Sequence, residues 1–315
     1  MSARKLPSPD QWRPSGAQTP AAREGFGFSE ARKALIRRLE TLRESKVIVY
    51  VESGDPPPDA LRYLYEHLRS AHRETHRQLD LILFTRNPSP SDLERALQMA
   101  ALLREHAREV RALVPSLACG LGTCLAVGVD QIAMHPLATL GRLHGAAGLA
   151  SLRHFEALLA EAPFASPEPR DATLRAFFDA AGPEALAQAR YDRARLVAGL
   201  QALINHRVRS QAAEAASLVD LLDDPACPLA HPFDRRQARA LLGVQTEPLD
   251  LESESILWDL FCAYEHPLAL LDPGDRAHTP DSVIESEGAC HCHTPAQGKN
   301  PQASGWSSVV GSKLH

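Results

Sequence analysis

The chain has 315 residues, 44% of them hydrophobic and 23% charged, with a formal net charge of −5. That composition suits a folded protein with one sizeable core and room for a helical extension, and its acidic balance excludes recruitment of nucleic acid or acidic lipid by bulk charge. Basic charge is carried almost entirely by arginine. The lysines are Lys5, Lys33, Lys46, Lys299 and Lys313, so no lysine base or Schiff-base lysine lies between Val47 and Gly298.

No run reaches the roughly 18 to 20 apolar residues that a spanning helix requires, so no membrane span is expected. The opening MSARKLPSPDQWRPSG has no hydrophobic segment after its charges, unlike a secretory signal. Six cysteines scattered along a chain of this size read as reduced thiols, and the expected location is the cytoplasm.

In chain order, residues 1–26 form a Pro/Ser/Arg/Gly-rich arm without periodicity, expected to be disordered. Ser29 caps a helix over Glu30 to Glu44, with Ala34, Leu35, Leu39 and Leu42 on one face. Lys46 to Val51 (KVIVYV) reads as a strand covered on both faces, and Glu52 to Pro58 as a loop. A helix over Asp59 to Ser70 turns Leu61, Leu64, Tyr65 and Leu68 inward, and Leu79 to Thr85 (LDLILFT) is a second buried strand. Ser91 and Glu94 form a capping box for a helix ending at His106. A third strand, Val110 to Val114, is stopped by Pro115, and small residues lead from Ala118 to Thr123 into the apolar run Cys124 to Val129. Gln131 to Met134 is a fourth strand, followed by a loop ending at Leu140-Gly141. This alternation predicts an α/β domain with parallel strands and right-handed crossovers.

From Leu149 the pattern is helical, with Leu152, Phe155, Leu158 and Leu159 on one face. After a break at Pro163 to Pro169 come helices over Asp171 to Ala181 and Pro183 to about Leu221, a short helix RRQARALL closed by Gly243, and a last helix over Leu257 to His266. The folded domain is thus expected over 27–271, with a helical extension from about residue 171. The Pro, Gly, Ser, His and charged residues of 272–315 are expected to form a disordered tail.

The turn Cys119-Gly120-Leu121-Gly122-Thr123 is the chemical centre of this reading. Glycines there let backbone amides at a helix N-terminus face an oxyanion. The same glycines also serve a plain strand-to-helix turn that needs close packing.

Taken together, KVIVYVES, LDLILFT, PSLACGLGT followed by AVGVDQIAM, the later Leu140-Gly141 and the late AHPFDRRQARALLGV resemble the serine dehydrogenase proteinase family, relatives of the Clp protease proteolytic subunit. The resemblance runs from about Phe28 to His266. It implies a Clp/crotonase-like spiral of βαβ units with a C-terminal helical extension, a serine-peptidase ancestry and assembly into a homo-oligomer, a trimer or larger ring. Three departures bear on activity. Where the family's turn reads Ser-Ala-Gly-Thr, this chain has Gly120 in place of the nucleophilic serine. Where the family has Pro-Gly-Gly after the second strand, this chain has Arg86-Asn87-Pro88, and Pro88 offers no N–H. Where the family has Leu-Gly-Pro-Ile-Asp-Pro, this chain has Leu140 to Gly145. The resemblance therefore implies a pseudoenzyme that binds a ligand or an oligomer partner, including an active paralogue.

Two active alternatives stay open. In one, His144 serves as general base to a displaced nucleophile, Cys119 or Ser116, with Asp171 or Asp179 orienting the ring; Thr123 and Cys124 are the other attackers near the turn. In the other, the amides of Gly120, Leu121 and Gly122 hold an acyl-CoA thioester, as in crotonase-type enzymes, with Glu156 or Glu161 as base. A peptide or acyl ligand is the expected partner class, and no cofactor is expected. Cys290-His291-Cys292-His293 is too tightly spaced for a tetrahedral structural zinc site, so no metal is assigned to it. Trp306 shows no packing partner in the sequence. The arginines at 190, 193, 195, 235, 236 and 239 read as solvated helix faces paired with acids.

Overall fold

A computed structural model describes residues 29–54, 57, 59–70, 76–86, 92–141, 143, 167–205, 222, 233–241, 245–265, 267–270, 280–295 and 305–310. Helix α1 (Glu30–Arg43) leads into β1 (Lys46–Glu52), α2 (Ala60–Ser70), β2 (His76–Thr85), α3 (Asp92–His106) and β3 (Ala107–Val114). Then follow β4 (Leu117–Ala118), α4 (Leu121–Gly128), β5 (Gln131–Met134) and β6 (Thr139–Leu140). The later elements are α5 (Pro167–Ile204), β7 (Phe233–Asp234), α6 (Arg235–Leu241), β8 (Gln245–Glu247), α7 (Leu251–Glu265), β9 (Ser282–Ser286), β10 (Ala289–Thr294) and β11 (Gly305–Val310).

The fold is mixed α/β around a largely parallel sheet, in the strand order β11-β10-β9-β1-β2-β3-β5-β8. The pairs from β1 through β2, β3 and β5 to β8 are parallel, while β9, β10 and β11 extend the β1 edge in antiparallel fashion. The short strands β4, β6 and β7 lie off this path, with Ala118 of β4 beside Thr85 of β2.

Both faces of the sheet are covered, which is why KVIVYV is a continuous apolar run instead of an alternating one. On one face Ile48, Tyr50, Leu79, Leu81 and Leu83 pack with Leu64, Leu68, Met99, Leu103, Leu125 and Leu200 of α2 to α5. On the other, Val47, Val49, Val51, Ile82 and Phe84 meet Ile36 and Leu39 of α1 and Ile256, Leu257, Leu260 and Phe261 of α7. Among the described residues no helix is long and apolar enough to cross a membrane.

Several expectations are corrected. The tail reading of 272–315 fails for 282–294 and 305–310, which are strands of the central sheet. Their Cys and His residues look hydrophilic in sequence, yet alternation sends Cys290 and Cys292 into the α1/α7 core while the two histidines take the opposite side of the strand. Trp306 packs on Tyr63, ring centroids 4.3 Å apart, and on His293 at 5.5 Å. In α1 the buried stripe is Arg32, Ile36 and Leu39, while Ala34 and Leu42 face out; in α2, Tyr65 is exposed. The buried arginine escaped the apolar count because its partner, Glu285, lies in β9, with Nε 2.8 Å from the carboxylate. Helix α7 starts at Leu251, six residues before the expected Leu257, because Asp250 caps it through the Ser253 amide at 2.8 Å. The break expected between Ala181 and Pro183 is present: within α5, Gly182 at φ 77° is non-helical and separates two helices.

Candidate functional site

Pro115 ends β3, and β4 carries the chain to the turn at Cys119-Gly120, from which α4 departs. Gly120 is the N-cap of α4 at φ 53°, ψ −113°, a left-handed conformation that glycine adopts without steric cost. The turn is pinned from β2: Thr85 Oγ1 donates to the Cys119 carbonyl at 2.6 Å and accepts from the Cys119 amide at 3.0 Å. Thr123 Oγ1 donates to the carbonyls of Ala118 at 2.6 Å and Gly141 at 3.0 Å, and the Gly141 amide returns to Ala118 at 2.7 Å. Glycine at 122 and 141 is required by this crowding. A Cβ on Gly122 would lie 2.2 Å from Thr85 Oγ1, and one on Gly141 2.1 Å from Cys119 Sγ.

Cys119, Gly120, Leu121 and Gly122, the residues singled out in the sequence, thus share one turn, and all are buried. The Cys119 side chain packs against Gly141 and is 5% exposed. Cys124 is fully buried, its sulfur 3.9 Å from the Leu143 carbonyl. Ser116 is half-buried, and its carbonyl accepts from the Thr139 amide at 2.6 Å. Asp171 is exposed on α5. His144, Glu156, Glu161, Asn87 and Pro88 lie outside the described residues, as does the side chain of Asp179.

A second polar group, not foreseen from the sequence, sits at the carboxyl end of β1. The Tyr50 hydroxyl donates to Glu52 Oε2 at 2.5 Å. Arg95 of α3 places Nη1 3.6 Å from the same oxygen and donates from Nη2 to Asp92 Oδ1 at 2.7 Å. Glu52 is 1% exposed. Burial raises its pKa to about 7, with Asp92 and Asp281 adding to the effect and Arg95 and the Tyr50 hydrogen bond opposing it. Nearby, Asp281 pairs with His293 Nδ1 at 2.7 Å. The signal was hidden because Glu52-Ser53-Gly54 reads as a loop and residue 282 as tail.

Two further clusters are built into the interior. His67 accepts or donates through Nδ1 to Ser286 Oγ at 2.8 Å and through Nε2 to His291 Nδ1 at 2.8 Å. Burial and the neighbouring His291 lower the His67 pKa to about 3. His67 is wholly buried and Ser286 is 1% exposed, which makes this a structural chain closed to substrate. Cys290 and Cys292 have their sulfurs 3.5 Å apart, both buried and reduced. Among the described residues no group of three or more His, Cys, Asp or Glu has the arrangement of a metal site.

No protein-family model matches the chain, and no curated protein matches it.

Proposed function

We propose that this chain is a Clp/crotonase-type spiral domain of serine dehydrogenase proteinase ancestry that has lost its nucleophile and works as a binding or assembly partner. The reading is carried by Gly120: at the turn where the resemblance places an attacking serine, the N-cap of α4 has φ 53° and only a hydrogen for a side chain. The spiral is supported by the way β3 and β5 are each followed by a short strand, β4 and β6, that pair with each other off the main strand order, β4 also touching β2. A hydrolase built on Cys119 is disfavoured, because its side chain is packed against Gly141 and nearly inaccessible. A buried thiol in apolar surroundings is a packing group, not a nucleophile.

The experiment is active-site labelling of the full chain with a fluorophosphonate and with an iodoacetamide probe. The expected result is no stoichiometric adduct at Ser116 or Cys119 in the native protein. Stoichiometric labelling of either residue that disappears in His144→Ala would overturn the pseudoenzyme reading.

A further inference from the structure

Two of the most exposed large apolar side chains among the described residues meet at one place. Leu251, 85% exposed, opens α7, and Leu137, 63% exposed, lies in the turn between β5 and β6. Together with His135, Glu254, Ser255 and Trp258 they line a groove of about 420 Å³.

These groups are held rigidly. The Ala138 amide donates to the His135 carbonyl at 2.8 Å, closing a tight turn with Pro136 at its second position, and the Leu137 amide donates to His135 Nδ1 at 3.2 Å. Leu251 directly follows Asp250, which caps α7 through the Ser253 amide. Trp258 stacks on His135 with ring centroids 5.1 Å apart and planes at 15°, and the buried Phe261 braces it from the core side at 5.4 Å. Apolar groups fixed in water around an aromatic anchor have the make-up of an interface core, and their rigidity lowers the entropy lost on binding.

The charges beside the groove select the occupant. Glu252, next to Leu251 in the chain, pairs with Arg38 at 2.7 Å, and the groove-lining Glu254 pairs with Arg235 at 3.0 Å. Two acids and two arginines give no net charge, so a strongly acidic or basic partner gains nothing here, while a second copy of the same surface meets no repulsion. The surface also carries its own knob beside its own hole, which is what a twofold contact requires. We propose that this groove is a self-association surface, in which Leu251 of each chain seats between Leu137 and Trp258 of a second copy. The inference rests on the assembly role proposed above and names its surface. Six lining residues fall short of the 20 to 30 per side of a standard interface, so the contact is weak and reversible, with dissociation in the micromolar range.

The test is sedimentation equilibrium of the full chain over a concentration series, with Leu251→Asp and Leu137→Asp alongside. The native mass is expected to rise from that of one 34.3 kDa chain toward twice that value, and both variants are expected to stay monomeric at the same concentrations. Both positions are largely exposed, and an aspartate in the first turn of α7 favours the helix, so the variants keep their fold, which melting curves check. In NMR spectra the Trp258 indole N–H resonance is expected to shift with concentration in the native chain and to stay fixed in Leu251→Asp. An assembly that survives both substitutions overturns this surface and leaves the assembly role standing. A chain that stays monomeric throughout overturns self-association and gives the groove to a different protein. Neither result bears on the loss of the nucleophile at Gly120.

Discussion

Cys119 and Gly141 lie so close that a methyl group on Gly141 would stand 2.1 Å from the Cys119 sulfur. This contact fixes where the thiol points and how the segment after β6 closes on the turn. Gly141→Ala is therefore expected to destabilise the fold by about 1–3 kcal/mol through overpacking. Cys119→Ala removes the clashing atom, so the double variant should recover most of that loss. A double-mutant cycle by urea denaturation measures the coupling, and additive costs would show that the two residues do not share this space.

Asp80 is wholly buried between two arginines, with Oδ1 2.6 Å from Arg111 Nε and Oδ2 2.6 Å from Arg43 Nε. Asp80→Asn leaves two guanidinium groups without their common counter-charge. A loss of about 3–5 kcal/mol is expected by chemical denaturation, the range seen when one partner of a buried ion network is removed.

The pKa shifts of Glu52 and His67 predict opposite pH dependences. Glu52 holds its proton more tightly when folded, with a pKa of about 7 against the ordinary 4.5. Between these values the native state binds more protons than the unfolded chain, so this group's contribution to stability falls as pH rises. His67 is the reverse, at about 3 against 6.5, so its contribution is present above about pH 6.5 and is lost as pH falls toward 3. The stability of Glu52→Gln relative to the native chain should rise between about pH 5 and pH 7, and that of His67→Asn should fall over the same interval. Denaturant midpoints at a series of pH values check both signs.

Removing residues 281–315 is expected to unfold the domain or leave it strongly destabilised. The deletion strips β9 from the β1 edge, removes the Asp281 carbonyl that accepts from the Ser53 amide at 2.7 Å, and leaves Arg32 without Glu285. A truncated chain with an unchanged melting temperature would contradict the placement of these strands.

The fold class was legible in the sequence because each early element carries its own signal: KVIVYV and LDLILFT are apolar on both faces, and Ser29 and the small-residue turn mark helix starts. The turn at Gly120 was legible for the same reason, since glycine spacing reports backbone conformation directly. What escaped was every feature whose meaning depends on a distant partner. Arg32 reads as a solvated residue until Glu285 arrives from β9, and His291 reads as tail until His67 meets it from α2.

By itself the sequence determined the alternation of strands and helices, the absence of a side chain at position 120 and the absence of lysine between Val47 and Gly298. Tertiary structure alone decided that 282–286, 289–294 and 305–310 complete the sheet, and that the buried Glu52 carboxylate stands beside Arg95. The reason is physical: local periodicity encodes what a segment does with its own backbone. The cost of burying a charge or hydroxyl depends on which remote group stands within about 3 Å of it.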